Sequence, residues 1–236
     1  LGKINGKEYI VKTIVTTETI KTIAERNGVE MYDVYTGFKW IANVMRENEG
    51  KKNYIGGGEE SYGFLCEDFV RDKDAVSACV ILAEIAAWAK DQGLSLYQLL
   101  QKIYVEYGFS KEKGISVVKK GKSGAEEIEA MMKKFRENPL TEIAGSKVTY
   151  FYDYSTLKGK DYAENETVTL DMPTTSNVLQ YFTEDNTKVS IRPSGTEPKI
   201  KFYCEVHSKV KSIDELPEAE KAAEEKINQI KASLGI

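Results

Sequence analysis

Two alternating stretches near the end of the chain, 187–191 and 199–206, flank the segment Arg192-Pro193-Ser194-Gly195-Thr196-Glu197-Pro198. It gathers a permanent cation, two hydroxyls and a glycine. A guanidinium supplies charge in a bidentate fork. Hydroxyls and turn N–H groups take the remaining oxygens of an anion. That is the chemistry of a phosphate cradle, and Lys201, just inside the following strand, adds charge to it. A lone Pro-Ser-Gly turn is an ordinary hairpin loop. Arg192 directly before it, with Ser194 and Thr196 alternating, distinguishes this one.

Far upstream stands Gly56-Gly57-Gly58-Glu59-Glu60-Ser61. Glu59 and Ser61 are two residues apart, a spacing that turns both side chains to one side of an extended segment. A carboxylate there accepts hydrogen bonds from two vicinal sugar hydroxyls, and a serine adds one more. The glycines let the backbone approach a ligand closely. Lys39 follows Thr36-Gly37-Phe38 at the start of a helix, where the N-terminus attracts anions. It suits a phosphate contact or proton transfer. Taken singly, a glycine turn and a surface lysine are ordinary features; together with the cradle they point to a phosphorylated sugar.

These residues need a frame. Residues 8–15 are apolar and β-branched, which predicts a buried strand. The pattern predicts a helix over 17–27, a strand over 31–35, a helix over 38–48 and a short strand over 54–57. This β-α-β-α-β order implies a parallel sheet with right-handed crossovers. Ligands bind beyond the carboxyl ends of such strands, so the loops at 16–17, 36–39 and 56–61 should share one edge. Asp74 should cap a helix over 75–90 that is apolar nearly all round and therefore deeply buried. Another amphipathic helix spans 96–107. The polar stretch 108–114 reads as the domain boundary, dividing the chain into 1–110 and 111–236.

The second half predicts a strand over 115–119, then a helix opened by Ser123 with Glu126 at capping-box spacing and ending before Pro139. A strand over 147–154, an irregular polar segment over 155–176, strands over 178–183, 187–191 and 199–206, and a helix over 216–234 follow. This is an α+β domain with an antiparallel sheet.

Length and composition agree. The chain has 236 residues, enough for two cores, and a net charge of −4. No basic footprint for nucleic acid or polybasic membrane patch is present, and no apolar run reaches spanning length. Three scattered cysteines and no C-x-x-C imply a reducing, cytoplasmic setting. The single histidine, His207, is a strand residue rather than the centre of a triad or metal site. The chain starts without Met and enters a strand almost at once, which suggests a piece of a longer protein.

Three stretches, TGFKW (36–40), GGGEESYGF (56–64) with RDKDA (71–75), and RPSGTEPKIKFY (192–203), together resemble the α-D-phosphohexomutase family, closest to its bacterial phosphoglucomutase/phosphomannomutase branch. The resemblance covers most of domain 3 and domain 4 of a four-domain protein. It implies a TATA-box-binding-protein-like fold for the second half, with no bearing on DNA. It implies interconversion of hexose 1-phosphate and hexose 6-phosphate through a phosphoserine in domain 1 and a hexose 1,6-bisphosphate intermediate. Magnesium would be held by domain 2, with no metal site in this chain. By the same resemblance, Gly37, Glu59 and Ser61 serve the sugar, Lys39 its phosphate site, and Arg192, Ser194, Gly195, Thr196 and Lys201 the distal phosphate. Where many members carry a histidine after the sugar-binding serine, this chain has Tyr62-Gly63-Phe64, which leaves the proton carrier open. No Ser-His-Asn or Asp-Gly-Asp loop is present, so the chain alone should be inactive and needs domains 1 and 2. Alternatives are a phosphopentomutase or sugar-bisphosphate synthase on the same scaffold, or a non-catalytic phosphosugar-binding module.

Overall fold

The run Tyr9-Ile10-Val11 forms the centre of the first sheet, because a strand rich in β-branched and aromatic residues fits a surface covered on both faces. The computed structural model describes residues 4–119, 121–195 and 197–236. It falls into two units, 1–108 with 211–213, and 109–210 with 214–236.

In the first unit, β1 (Glu8–Thr13), α1 (Thr19–Arg26), β2 (Glu30–Val34), α2 (Phe38–Asn48) and β3 (Asn53–Gly58) follow in order. The sheet order is β2-β1-β3-β4, with β1 parallel to both β2 and β3. The fourth strand, β4 (Phe64–Leu65), runs antiparallel to β3, so the sheet is mixed where a purely parallel one was expected. α2 buries Phe38, Ile41 and Met45 against Tyr9, Val11, Val34, Tyr54 and Leu65. Tyr9 stacks edge-on to Tyr32 at 5.6 Å and tilted to Tyr54 at 5.5 Å.

Gly57 sets the closeness of β1 and β3. A Cβ there would lie 2.3 Å from the Val11 carbonyl oxygen and 2.7 Å from the Tyr54 hydroxyl.

α3 (Ala75–Asp91) begins where Asp74 accepts from the Ser77 N–H at 2.7 Å. α4 (Leu96–Tyr107) opens with a full capping box between Ser95 and Gln98. The expected deep burial of α3 is not observed. Of its residues only Ala89 is buried, and Val76 is 74% exposed, with Val80, Leu82, Ile85 and Trp88 exposed as well. Its contacts are with β4 and α4, which cover only part of a helix that is apolar nearly all round.

The second unit comprises β5 (Phe109–Val118), α5 (Gly121–Glu137), β6 (Glu142–Ile143), β7 (Ser146–Asp153), β8 (Lys158–Asp161), β9 (Glu166–Thr169), β10 (Leu179–Thr183), β11 (Lys188–Pro193), β12 (Lys199–Ser208) and α6 (Leu216–Leu234). The antiparallel order is β5-β12-β11-β10-β7-β8-β9, and β6 pairs with β7. Helices α5 and α6 lie against the sheet, and Met132, Phe135, Phe202, Ile227 and Ile230 are buried. Tyr181 donates its hydroxyl to the Phe135 carbonyl at 3.0 Å.

Three local expectations change. Residues 109–114 are strand, because the charged run Lys111-Glu112-Lys113 pairs along β12 and Lys111 meets Glu220 and Glu224 of α6. Ser123 lies inside α5, which already begins at Gly121. The segment 155–176 contains the hairpin β8–β9, with Asn165 at φ 55° in its turn. Tyr152 lies across Gly159 on the neighbouring strand, whose missing side chain leaves room for the ring.

Candidate functional site

Chain topology brings the loops after β1, β2 and β3 to the carboxyl edge of the first sheet. The turn after β3 closes tightly: the Glu59 N–H donates to the Gly63 carbonyl at 2.8 Å, with Tyr62 at φ 68°. Glu59 and Ser61 are thus on a turn, not in the extended segment the spacing suggested. The third glycine makes the turn possible, since a Cβ on Gly58 would lie 2.6 Å from the Gly63 carbonyl oxygen.

Glu59 is half-buried. Its Oε1 accepts from the Gly37 N–H at 2.6 Å, which ties the loop after β3 to the start of α2. Gly37 sits at φ 111°, a backbone that side-chain-bearing residues rarely adopt. Glu60, next to Glu59 in the chain, takes a hydrogen bond from the Thr13 hydroxyl at 3.2 Å. Ser61 is exposed. Lys39, in the first turn of α2, is exposed with its ammonium 5.0 Å from the Trp40 ring centroid. Expected residues Gly37, Lys39, Glu59 and Ser61 therefore all lie at one sheet edge, on its loops and the first turn of α2. The edge offers carboxylate acceptors and a hydroxyl with a cation at hand, a set suited to a polyhydroxylated ligand.

Two further cations at this edge lie outside the sequence-based expectation. The Lys73 stem flanks Gly63, as does Glu59 Oε2, and its ammonium is 6.0 Å from the Phe38 ring centroid. Lys12 is fully buried within β1. The signal for Lys12 was present: a lysine in the middle of the apolar run Tyr9–Val15 has to find partners.

In the second unit, Arg192 and Pro193 belong to β11 itself, paired with Lys201 and Ile200 of β12. The loop proper is therefore shorter than the motif. Its backbone is fixed by Ser194 N–H to the Lys199 carbonyl at 2.8 Å and Lys199 N–H to the Glu197 carbonyl at 2.7 Å. The Ser194 hydroxyl accepts from the Glu197 N–H at 3.2 Å. Lys119 N–H holds the Pro198 carbonyl at 2.9 Å from the side of β5. Glu197 pairs with Lys199, and that ammonium holds the Glu197 carboxyl below its ordinary range. Gly195 is exposed at the tip. Thr196 lies outside the described residues.

Arg192 and Lys201 are direct cross-strand partners on one face of the sheet. Like charges so placed repel, by about 0.2–1 kcal/mol, unless an anion lies between them. Lys201 also stands 5.9 Å from the Tyr203 ring centroid. Two residues along β11 from Arg192, Ser190 accepts from Gln180 at 2.7 Å, and Gln180 accepts from the Tyr154 hydroxyl at 2.6 Å. This buried relay fixes the strand that carries Arg192. A groove of about 570 Å³ adjoins Pro193 and Ser194, lined also by Arg136, Ser155 and Asn177. Arg136 is anchored there on Asp153 at 2.9 Å and Asn177 at 2.8 Å.

His207, the single histidine, is a mostly buried strand residue 3.3 Å from Glu205. Among the described residues no three His, Cys, Asp or Glu side chains cluster in a way that could hold a metal ion. No described helix is long and apolar enough to cross a membrane.

Comparison with known proteins places the two units. Residues 2–107 match phosphoglucomutase/phosphomannomutase alpha/beta/alpha domain III, and residues 116–223 match the C-terminal domain of the same family. A phosphoglucomutase of Staphylococcus haemolyticus is 36% identical over 204 residues, covering 86% of this chain and 37% of that protein. One from Staphylococcus aureus strain USA300 is 40% identical over 194 residues, covering 82% and 35%. The chain thus spans little more than a third of the length of these relatives. Among solved structures, Paramecium parafusin aligns with a TM-score of 0.57 at 19% identity, over 86% of this chain and 33% of that one. A Burkholderia thailandensis phosphoglucomutase/phosphomannomutase family protein aligns with a TM-score of 0.54 at 16% identity, over 96% and 38%. At these identities the structures speak to the fold alone. With two adjacent stretches matched in family order, the chain belongs to the phosphoglucomutase/phosphomannomutase family.

Proposed function

We propose that this chain is the sugar- and phosphate-binding portion of a phosphohexomutase that interconverts hexose 1-phosphate and hexose 6-phosphate. The observation that carries the reading is the in-register pair Arg192 and Lys201 at the mouth of the 194–198 loop, an arrangement that an anion stabilises. Glu59, held by the Gly37 N–H, is proposed to accept sugar hydroxyls through its remaining oxygen, with Ser61 adding a hydroxyl contact. Lys39 is proposed to touch the sugar phosphate, and Arg192, Ser194, Gly195, Thr196 and Lys201 the phosphate that is not being transferred.

Phosphoryl transfer needs positioning and charge stabilisation more than covalent chemistry from these residues. A substrate that binds in two orientations needs contacts common to both, and a hydroxyl-binding carboxylate and a phosphate loop meet that need. The phosphoserine and the magnesium site are proposed to belong to the part of the protein the relatives possess beyond this chain, with hexose 1,6-bisphosphate as the intermediate. Among the described residues no group of three His, Cys, Asp or Glu side chains gathers as metal ligands, and none of the roles above uses a metal. A cytoplasmic setting is proposed, in keeping with three free cysteines. A pentose phosphate as substrate is the second reading, favoured if ribose phosphates are turned over faster.

The test is an assay of the full-length protein with glucose, mannose and ribose 1-phosphates, alongside Glu59→Gln. Gln keeps an oxygen for Gly37 but loses the charged acceptor, so kcat/KM should fall about tenfold or more, the cost of a charge-assisted hydrogen bond. Full activity in Glu59→Gln would refute the hydroxyl-binding role.

A further inference from the structure

Lys12 has no place in the roles above, yet it is completely buried in the central strand of the first unit. A buried ammonium costs several kcal/mol unless it is paired and hydrogen-bonded. Here Nζ donates to Asp33 Oδ1 at 2.7 Å and Glu18 Oε1 at 3.0 Å. It also lies 3.4 Å from the Thr16 carbonyl and 3.5 Å from the Thr13 carbonyl. Asp33 is the register partner of Lys12 on β2, whereas Glu18 and Thr16 belong to the loop after β1. One cation therefore gathers the ends of two strands and the loop between β1 and α1.

The same loop has a second side. Thr13 and Thr16 share a hydroxyl–hydroxyl hydrogen bond of 2.9 Å, and the Thr13 hydroxyl donates to Glu60 Oε2 at 3.2 Å. Thr13 and Thr16 are thus held by their carbonyls from the Lys12 side and by their hydroxyls from the Glu60 side. Glu60 stands between Glu59 and Ser61, in the turn that the Gly63 carbonyl closes. A well-packed apolar residue generally serves stability at least as well as a buried ion pair. What the lysine adds is a fixed geometry for the loop.

We propose that Lys12 is a positioning residue for the 59–63 turn, acting through Thr13, Thr16 and Glu60. This rests on the reading of Glu59 and Ser61 as sugar-binding residues. Replacing Lys12 alone would strand Glu18 and Asp33 beside each other, so the test uses full-length Lys12→Met/Glu18→Gln/Asp33→Asn, with Glu18→Gln/Asp33→Asn as control. Amide hydrogen exchange and steady-state kinetics are measured on both.

In the triple variant, exchange in 59–63 should quicken about tenfold while the core amides of β1 and β3 keep their protection. KM for the hexose phosphate should rise about tenfold with a smaller change in kcat, since weakening a contact common to the ground and transition states is read in KM. A folded triple variant whose 59–63 exchange matches the control overturns the proposal, as does an unchanged KM in an active enzyme. If the wild-type protein turns over no hexose phosphate, the mutase reading fails, and the exchange comparison alone still decides the role of Lys12.

Discussion

Removing Arg192 should abolish most of the stabilisation that inorganic phosphate gives to the second unit. Arg192 and Lys201 face each other across β11 and β12, and cross-strand Cβ atoms lie about 5 Å apart, so one phosphate can contact both. Loss of one charge-assisted contact costs about 2 kcal/mol, which is about a thirtyfold loss of affinity. At a phosphate concentration of about ten times the wild-type Kd, binding stabilises the wild-type chain by about 1.4 kcal/mol. The same concentration stabilises Arg192→Ala by only about 0.2 kcal/mol. For a unit of roughly a hundred residues or more, that is a Tm rise of about 4 °C against less than about 1 °C. The assay is thermal unfolding of the 236-residue chain with phosphate or chloride at matched ionic strength. Lys147→Ala, an exposed lysine on β7, serves as control for the general salting effect of phosphate. Comparing increments removes any change in baseline stability that the substitution itself causes. An Arg192→Ala chain that keeps the wild-type increment would refute the assignment of this loop to phosphate.

Gly57→Ala should separate β1 from β3, since the new methyl meets the Val11 carbonyl oxygen at 2.3 Å. A destabilisation of about 1–3 kcal/mol or more, confined by hydrogen exchange to the first unit, is the expected result, and an unchanged melt would show that the strands can part freely. Burial pushes the Cys204 thiol up to about 12. Its folded pKa is raised, so its contribution to stability is complete below about pH 9 and is lost as pH rises towards 12, by up to about tenfold in the unfolding constant per pH unit. Thiol alkylation at pH 8 should accordingly modify exposed Cys79 within minutes and Cys204 only on unfolding; equal rates at the two would contradict the buried placement.

Much of this arrangement was legible in the residues. A continuous β-branched, apolar run marked β1 and the period-3.6 pattern marked α2 and α4, and Asp74 was readable as a cap because a short carboxylate before an apolar run has few other uses. The convergence of Gly37, Lys39, Glu59 and Ser61 followed from parallel strand order alone. Other features were hidden by physics that sequence patterns do not record. The first half of β5 carries charges on successive residues because its stability comes from pairing along β12 and from ion pairs to α6. The hairpin β8–β9 is polar and lies at the edge of its sheet, where alternation is weak. The turn at Glu59 is closed by the carbonyl of Gly63, four residues on, which the two-residue spacing of Glu59 and Ser61 does not reveal. Lys12 was visible as an anomaly in an apolar strand, but its partners Glu18 and Asp33 come from other elements and meet it only in the fold.

The exposed apolar side chains of α3 bear on how the 236-residue chain behaves in solution. Val76, Val80, Leu82, Ile85 and Trp88, spread round most of the helix, leave hydrocarbon open to water, and exposed apolar surface of this kind drives association as concentration rises. A ligand titration on the isolated chain is then two coupled equilibria, one with the ligand and one with neighbouring molecules. The apparent affinity will drift with protein concentration wherever the two are linked. Dilution series, and not a single isotherm, are the proper way to read binding from this chain.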